Sequence, residues 1–114
     1  VSLIVKQGDT TWVTFSLKKN SASFAITVSS TVEVRFYEND VLNDSIGTLV
    51  ASSSEVGADW ANSVITILVN STITALLSIN ARLEPRVTIV DDAGERITYT
   101  GEELPILTVK PGFN

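Results

Sequence analysis

Hydrophobic and polar residues alternate along much of the chain with a period of two, the mark of strands that bury one face. In segment 11–18, Val13, Phe15 and Leu17 fall on one side and Trp12, Thr14 and Ser16 on the other. Asn20 and Ser21 read as a turn. The apolar stretch 24–28 then leads through Ser29 and Ser30 into Thr31–Glu38, where Val32, Val34 and Phe36 alternate with Glu33, Arg35 and Tyr37. A single register there puts every charge in water and the large apolar side chains in the core, which makes this the clearest strand of the chain.

The polar stretch 39–47, with Asn39, Asp40, Asn43, Asp44 and Gly47, reads as an exposed loop. A strand is expected over 48–53, then a loop through Gly57 and Asp59. The run Val64, Ile65, Thr66, Ile67, Leu68, Val69 is apolar enough for a central strand within 63–70. Ser71 is placed to cap a short helix over 72–79, in which Ile73, Leu76 and Leu77 recur at helical spacing. Leu83, Val87 and Ile89 restore the period of two up to Asp91-Asp92-Ala93-Gly94, a hairpin sequence, with Ile97 and Tyr99 on the returning strand. A last short strand over 104–110 ends at Pro111-Gly112, and Pro85 and Pro105 suit strand starts and edges. Roughly seven strands with regular turn signals predict an all-β fold, an immunoglobulin-like antiparallel β-sandwich, with one short helix near 72–79. Its length suits a single domain over residues 1–114.

Composition narrows the function. The chain contains no cysteine and no histidine, which removes disulfides, thiolate metal sites, the commonest general base and the usual partner of a nucleophilic serine. A non-enzymatic role is expected. Eight basic against thirteen acidic residues give a net charge of −5, and the basic residues are scattered apart from Lys18-Lys19, so neither nucleic acid nor an anionic membrane is an expected partner. No apolar run approaches the roughly 20 residues that cross a bilayer, and Val1-Ser2-Leu3-Ile4-Val5 is too short for a signal-peptide core. A soluble protein made in the cytoplasm is the expectation.

The acidic clusters are Asp91 with Asp92, Glu102 with Glu103, and Glu38 with Asp40 and Asp44. None has the alternating oxygen ligands, turn glycine and closing glutamate of a calcium loop, so solvated loop charges are expected, with no metal and no cofactor. Lys6-Gln7-Gly8-Asp9-Thr10 lacks the Gly-Lys-Ser/Thr of a phosphate loop and opens a strand instead of a helix. Gly8 there suits a bend or bulge, and Asp9 or Thr10 a hydrogen bond to the local backbone. Tryptophan joins wide apolar area to one donor, so Trp12 and Trp60 are candidate anchors of an interface. Trp60 suits an interface or the core alike, whereas Trp12 suits a second core layer somewhat better. Lys6, Gln7, Asp9, Trp12 and Trp60 are the candidate interface residues. Asn43-Asp44-Ser45 and Asn70-Ser71-Thr72 fit the glycosylation pattern, which carries meaning only in a secreted protein.

The order of these features resembles the small β-sandwich domain at the N-terminus of phage baseplate upper proteins and in related tail-fibre-attachment and virion proteins. The matching features are the opening Lys6-Gln7-Gly8-Asp9-Thr10, the strand Val13, Phe15, Leu17, and the strand Val32, Val34, Arg35, Phe36, Tyr37. The pattern continues with Thr88-Ile89-Val90-Asp91-Asp92-Ala93-Gly94-Glu95-Arg96 and the closing Ile106-Leu107-Thr108-Val109. Where the family has a Gly-x-Tyr step before the late hairpin, this chain has Asn80-Ala81-Arg82-Leu83-Glu84-Pro85. The resemblance implies a bacteriophage structural protein of the virion, made in the host bacterial cytoplasm. Its partners would be other phage structural proteins of tail, baseplate or capsid, and it would be homo-oligomeric in the particle. Two alternatives stand beside docking onto tail, baseplate or fibre-attachment components. One is a head decoration (cement) protein that clamps neighbouring capsid subunits; the other is a carbohydrate or host-receptor module, which would cluster aromatics on one face.

Overall fold

In the computed structural model, which describes residues 2–18, 22–99 and 104–112, the alternating segments form nine strands in two layers. They are β1 (Ser2–Lys6), β2 (Thr11–Ser16), β3 (Thr31–Glu38), β4 (Val41–Leu42), β5 (Leu49–Ala51), β6 (Val64–Val69), β7 (Arg82–Val90), β8 (Arg96–Tyr99) and β9 (Ile106–Lys110). The larger layer runs β1-β9-β7-β3-β4, with β5 also on β3 and β8 also on β7; β2 and β6 form the smaller layer. The neighbours β9, β7 and β3 occupy the G, F and C places of an immunoglobulin-type sandwich, and β2 with β6 the B and E places. The fold is therefore the expected all-β sandwich. The pairings are antiparallel except one: β1 runs parallel to β9, from Ser2 beside Ile106 to Lys6 beside Lys110.

The two layers meet through the residues that the alternation assigns inward. Val13, Phe15 and Leu17 from the smaller layer face Val32, Val34, Phe36, Leu83, Val87, Leu107 and Val109 from the larger, all at most 1% exposed. Phe15 and Phe36 bring their rings to 6.4 Å across the layers. Burying each such side chain contributes about 1.5–3 kcal/mol.

The structure revises several local expectations. The stretch 39–47 is not all loop: Asn39 (φ 51°) and Asp40 (φ 63°) are both left-handed and form a two-residue hairpin turn that pairs Glu38 with Val41. The helix α1 spans only Ser71–Thr74, and its cap is Asn70, one residue before Ser71, whose Oδ1 accepts the Ile73 N–H at 2.9 Å. The helix does not run on to 79, because Leu76 and Leu77 donate only three residues back, to the carbonyls of Ile73 (3.0 Å) and Thr74 (3.2 Å), and Asn80 already donates to the Val109 carbonyl at 2.8 Å. Pro85 lies inside β7 instead of at its start. Asn43 donates to the Phe36 carbonyl at 2.9 Å, which turns the Phe36 backbone away from β7 and so turns the nitrogen of its partner Pro85 to the opposite edge. On that edge β9 pairs at Arg82 and Leu83 and β8 at Val87–Val90, leaving Pro85 in the gap between them. A residue without an N–H fits there. The hairpin at 91–94 is as expected, with Asp91 Oδ1 accepting the N–H groups of Ala93 (3.0 Å) and Glu95 (2.9 Å).

Tyr99 of β8 stacks on Phe24 with ring centroids 5.5 Å apart, and partial burial raises its hydroxyl above the ordinary pKa of 10.0. The unfolded chain therefore ionises first. This contribution to stability is fully present below about pH 10 and falls as pH rises toward the raised folded value. Urea unfolding of the protein and of Tyr99→Phe across the alkaline range checks this: the decline is steeper in the unmodified protein.

Candidate interaction surface

The parity of the smaller layer shows which backbone groups it leaves open. Leu17 donates its N–H to the Ser63 carbonyl at 2.9 Å, and in an antiparallel ladder such bonded pairs alternate. Phe15, Val13 and Thr11 therefore bond to Ile65, Ile67 and Val69, while the N–H and C=O groups of Trp12, Thr14 and Ser16 point away from β6. The same parity governs the far edge of β6, where Val64 and Asp59 exchange both backbone bonds at 2.9 Å. Beside it, Gly57 packs so closely over Thr66 that an added Cβ would lie 3.4 Å from the Thr66 hydroxyl. The β6 edge is thus partly closed. Among the described residues no strand lies against the outer edge of β2.

Side chains at this edge are as open as the backbone. Trp12 is 55% exposed and stands directly opposite Leu68, itself 40% exposed, on the outer face of the layer. Thr14 is exposed and its hydroxyl lies 3.1 Å from that of Thr66. The strand Thr11–Ser16 contains no charge and no proline. Soluble proteins usually blunt their edges with lysine, proline, bulges or a covering loop, so an uncharged edge beside an exposed tryptophan is a surface suited to another chain.

The five candidate residues separate. Lys6, Asp9 and Trp12 are exposed. Gln7 is structural: its Nε2 donates to the Leu77 carbonyl at 2.6 Å and its backbone N–H to the Lys110 carbonyl at 2.9 Å. The bend after β1 uses backbone rather than the Asp9 or Thr10 side chain, with Gly8 left-handed (φ 81°), the Asp9 N–H donating to Lys6 at 3.1 Å and the Asp9 carbonyl accepting from the Thr74 hydroxyl at 2.7 Å. The two tryptophans part: the core that sequence favoured for Trp12 holds Trp60 instead, for which interface and core stood level. Trp60 lies in a 3₁₀ turn (Trp60–Asn62), is 6% exposed and accepts the Ile26 N–H at 2.7 Å on its carbonyl, so it belongs to the core and not to an interface. Trp12 is the one in solvent, 55% exposed, because among the described residues no third layer covers the outer face of β2. Leu68, Thr14 and Ser16 complete the surface; the alternation around Trp12 pointed to the last two, whereas Leu68 was hidden in the apolar run of β6.

Several of the acidic residues take structural partners. Asp40 pairs with Arg86 at 2.8 Å, and that guanidinium lies 3.8 Å from the centre of the Tyr37 ring. Glu33 pairs with Arg35 at 3.5 Å, and Asp92 accepts from the Ser29 hydroxyl at 2.8 Å. Among the described residues no three potential metal ligands converge, and no helix is long and apolar enough to cross a membrane. The turn at Asn20 and Ser21 and the Glu102-Glu103 pair lie outside the described residues. Comparison with protein-family models, with curated proteins and with solved structures gives no match.

Proposed function

We propose that the chain is a bacteriophage virion structural protein, a non-catalytic β-sandwich that docks onto tail, baseplate or fibre-attachment components. The observation that carries this reading is the open, uncharged β2 edge with Trp12 and Leu68 exposed beside it. Such a surface binds by shape, with Trp12 and Leu68 on its outer face as anchors, and needs no turnover. Repetition by the symmetry of a particle multiplies contacts that are individually weak. The resemblance in strand order and turns supplies the virion context, and it favours the tail over the head. A glycan or host-receptor module gains less support, since Trp12 stands beside an aliphatic side chain and two threonines rather than in an aromatic cluster.

Electron microscopy of intact particles labelled with an antibody to this chain tests the proposal. Label at the tail or baseplate is the expected result, with Trp12→Lys reducing incorporation about tenfold or more, as for loss of an aromatic anchor. Label over the head would replace the proposal by the decoration alternative, and absence of the chain from purified particles would overturn both.

A further inference from the structure

We propose that β2 pairs with β2 of a second copy across a two-fold axis at Thr14, joining two smaller layers into one four-stranded sheet. This goes beyond a docking role and stands whether or not the chain belongs to a virion. The deficit at the edge consists of three N–H and three C=O groups, those of Trp12, Thr14 and Ser16, all pointing the same way. Extended backbone supplies the matching groups.

The segment is complementary to itself in one register. With Thr14 opposite Thr14 of the second copy, Trp12 of each copy lies opposite Ser16 of the other. All the open groups then pair, giving six backbone bonds in the narrow pairs of an antiparallel ladder. Shifting the axis to Val13 leaves Ser16 of each copy without a partner. On the outer face the favoured register sets a large side chain against a small one at both ends. Thr11–Ser16 has no charge to repel its copy, although each whole chain carries −5. Isologous pairing of this kind closes at two copies.

The contact is small beside the roughly 1,600 Å² of a standard interface, so the dimer is weak in dilute solution. It tightens as salt screens the like net charges. Within any array that holds copies side by side it forms at high effective concentration.

Sedimentation velocity of the full chain from micromolar to millimolar concentration, together with amide exchange, tests the pairing. The expected result is a monomer–dimer equilibrium in which the amides of Trp12, Thr14 and Ser16 gain protection with concentration, while those of Val13 and Phe15 are protected throughout. Ser16→Lys, which sets a charge beside the facing Trp12, and Thr14→Pro, which removes an N–H that β6 does not use, weaken dimerisation roughly tenfold or more. Val50→Lys, on the 67% exposed position of β5, leaves it unchanged. A monomer up to millimolar concentration overturns the proposal, as does a dimer whose formation leaves the three amides unprotected or is lost in Val50→Lys. The exchange measurement uses the unmodified chain, so it decides the matter even where a variant fails to fold.

Discussion

Replacing Phe36 by alanine is expected to cost about 3–5 kcal/mol of folding stability, the range for removing a buried phenylalanine from a packed core. Phe36 is wholly buried and lies in β3, which pairs with β7 from Thr31 to Tyr37 on one side and with β4 and β5 on the other. Its ring tilts 41° to that of Phe15, so it joins a strand that pairs with β4, β5 and β7 in the larger layer to the inner face of the smaller one. Since a domain is stable by only about 5–15 kcal/mol, the loss is a large share of the total. Urea unfolding followed by circular dichroism measures it. Phe15→Ala should cost a similar amount, and the double variant less than the sum, because each single change already empties the shared contact. A loss below about 1 kcal/mol in Phe36→Ala would contradict this account of how the layers are held.

Gly112→Ala is expected to cost about 1–3 kcal/mol, the range for overpacking, although the change adds only a methyl group. A Cβ at Gly112 would overlap the carbonyl oxygen of Gln7. The new methyl group meets backbone, and no rotamer change relieves it. Gln7 is itself tied on two sides, to Lys110 through its N–H and to Leu77 through its side chain. The strain is therefore released by separating β1 from β9, and the amides of that ladder should exchange faster than those of β3 and β7. Uniform acceleration across the protein, or none, would show that the close approach carries no such role.

The parts of the fold that the sequence displays are those in which one strand face is wholly apolar and the other wholly polar. Thr31–Glu38 is the clear case, and Asp91 to Gly94 displays its turn because the aspartate accepts two local N–H groups. β1 stays hidden for the opposite reason. Leu3, Ile4 and Val5 are consecutive apolar residues with no alternation, and the strand exists because β9, at the other end of the chain, runs alongside it. The outer face of β6 is masked in a similar way, since Thr66 is buried beneath Gly57 while Leu68 is partly exposed, which reverses what polarity suggests. Trp12 illustrates the limit for the interaction surface. Alternation assigns its side of the strand correctly, but whether that side meets protein or water depends on a third layer, and pattern within one strand holds no information about that. For Trp60 the sequence left core and interface level, since a tryptophan among polar loop residues shows no alternation, and only the 3₁₀ turn with its bond from Ile26 decides for the core.

The parallel pairing of the first and last strands also decides how the domain answers a pull. A force that draws Ser2 and Lys110 apart acts along β1 and β9 in opposite directions, because the two strands point the same way and Ser2 and Lys110 lie at opposite ends of the pair. The rungs from Ser2–Ile106 to Lys6–Lys110 are then sheared together instead of being unzipped one after another. The seam closed by Gln7 and Gly112 is thus a mechanical clamp. Tension between Ser2 and Lys110 therefore loads the whole β1–β9 seam at once, before it reaches β3 or the smaller layer.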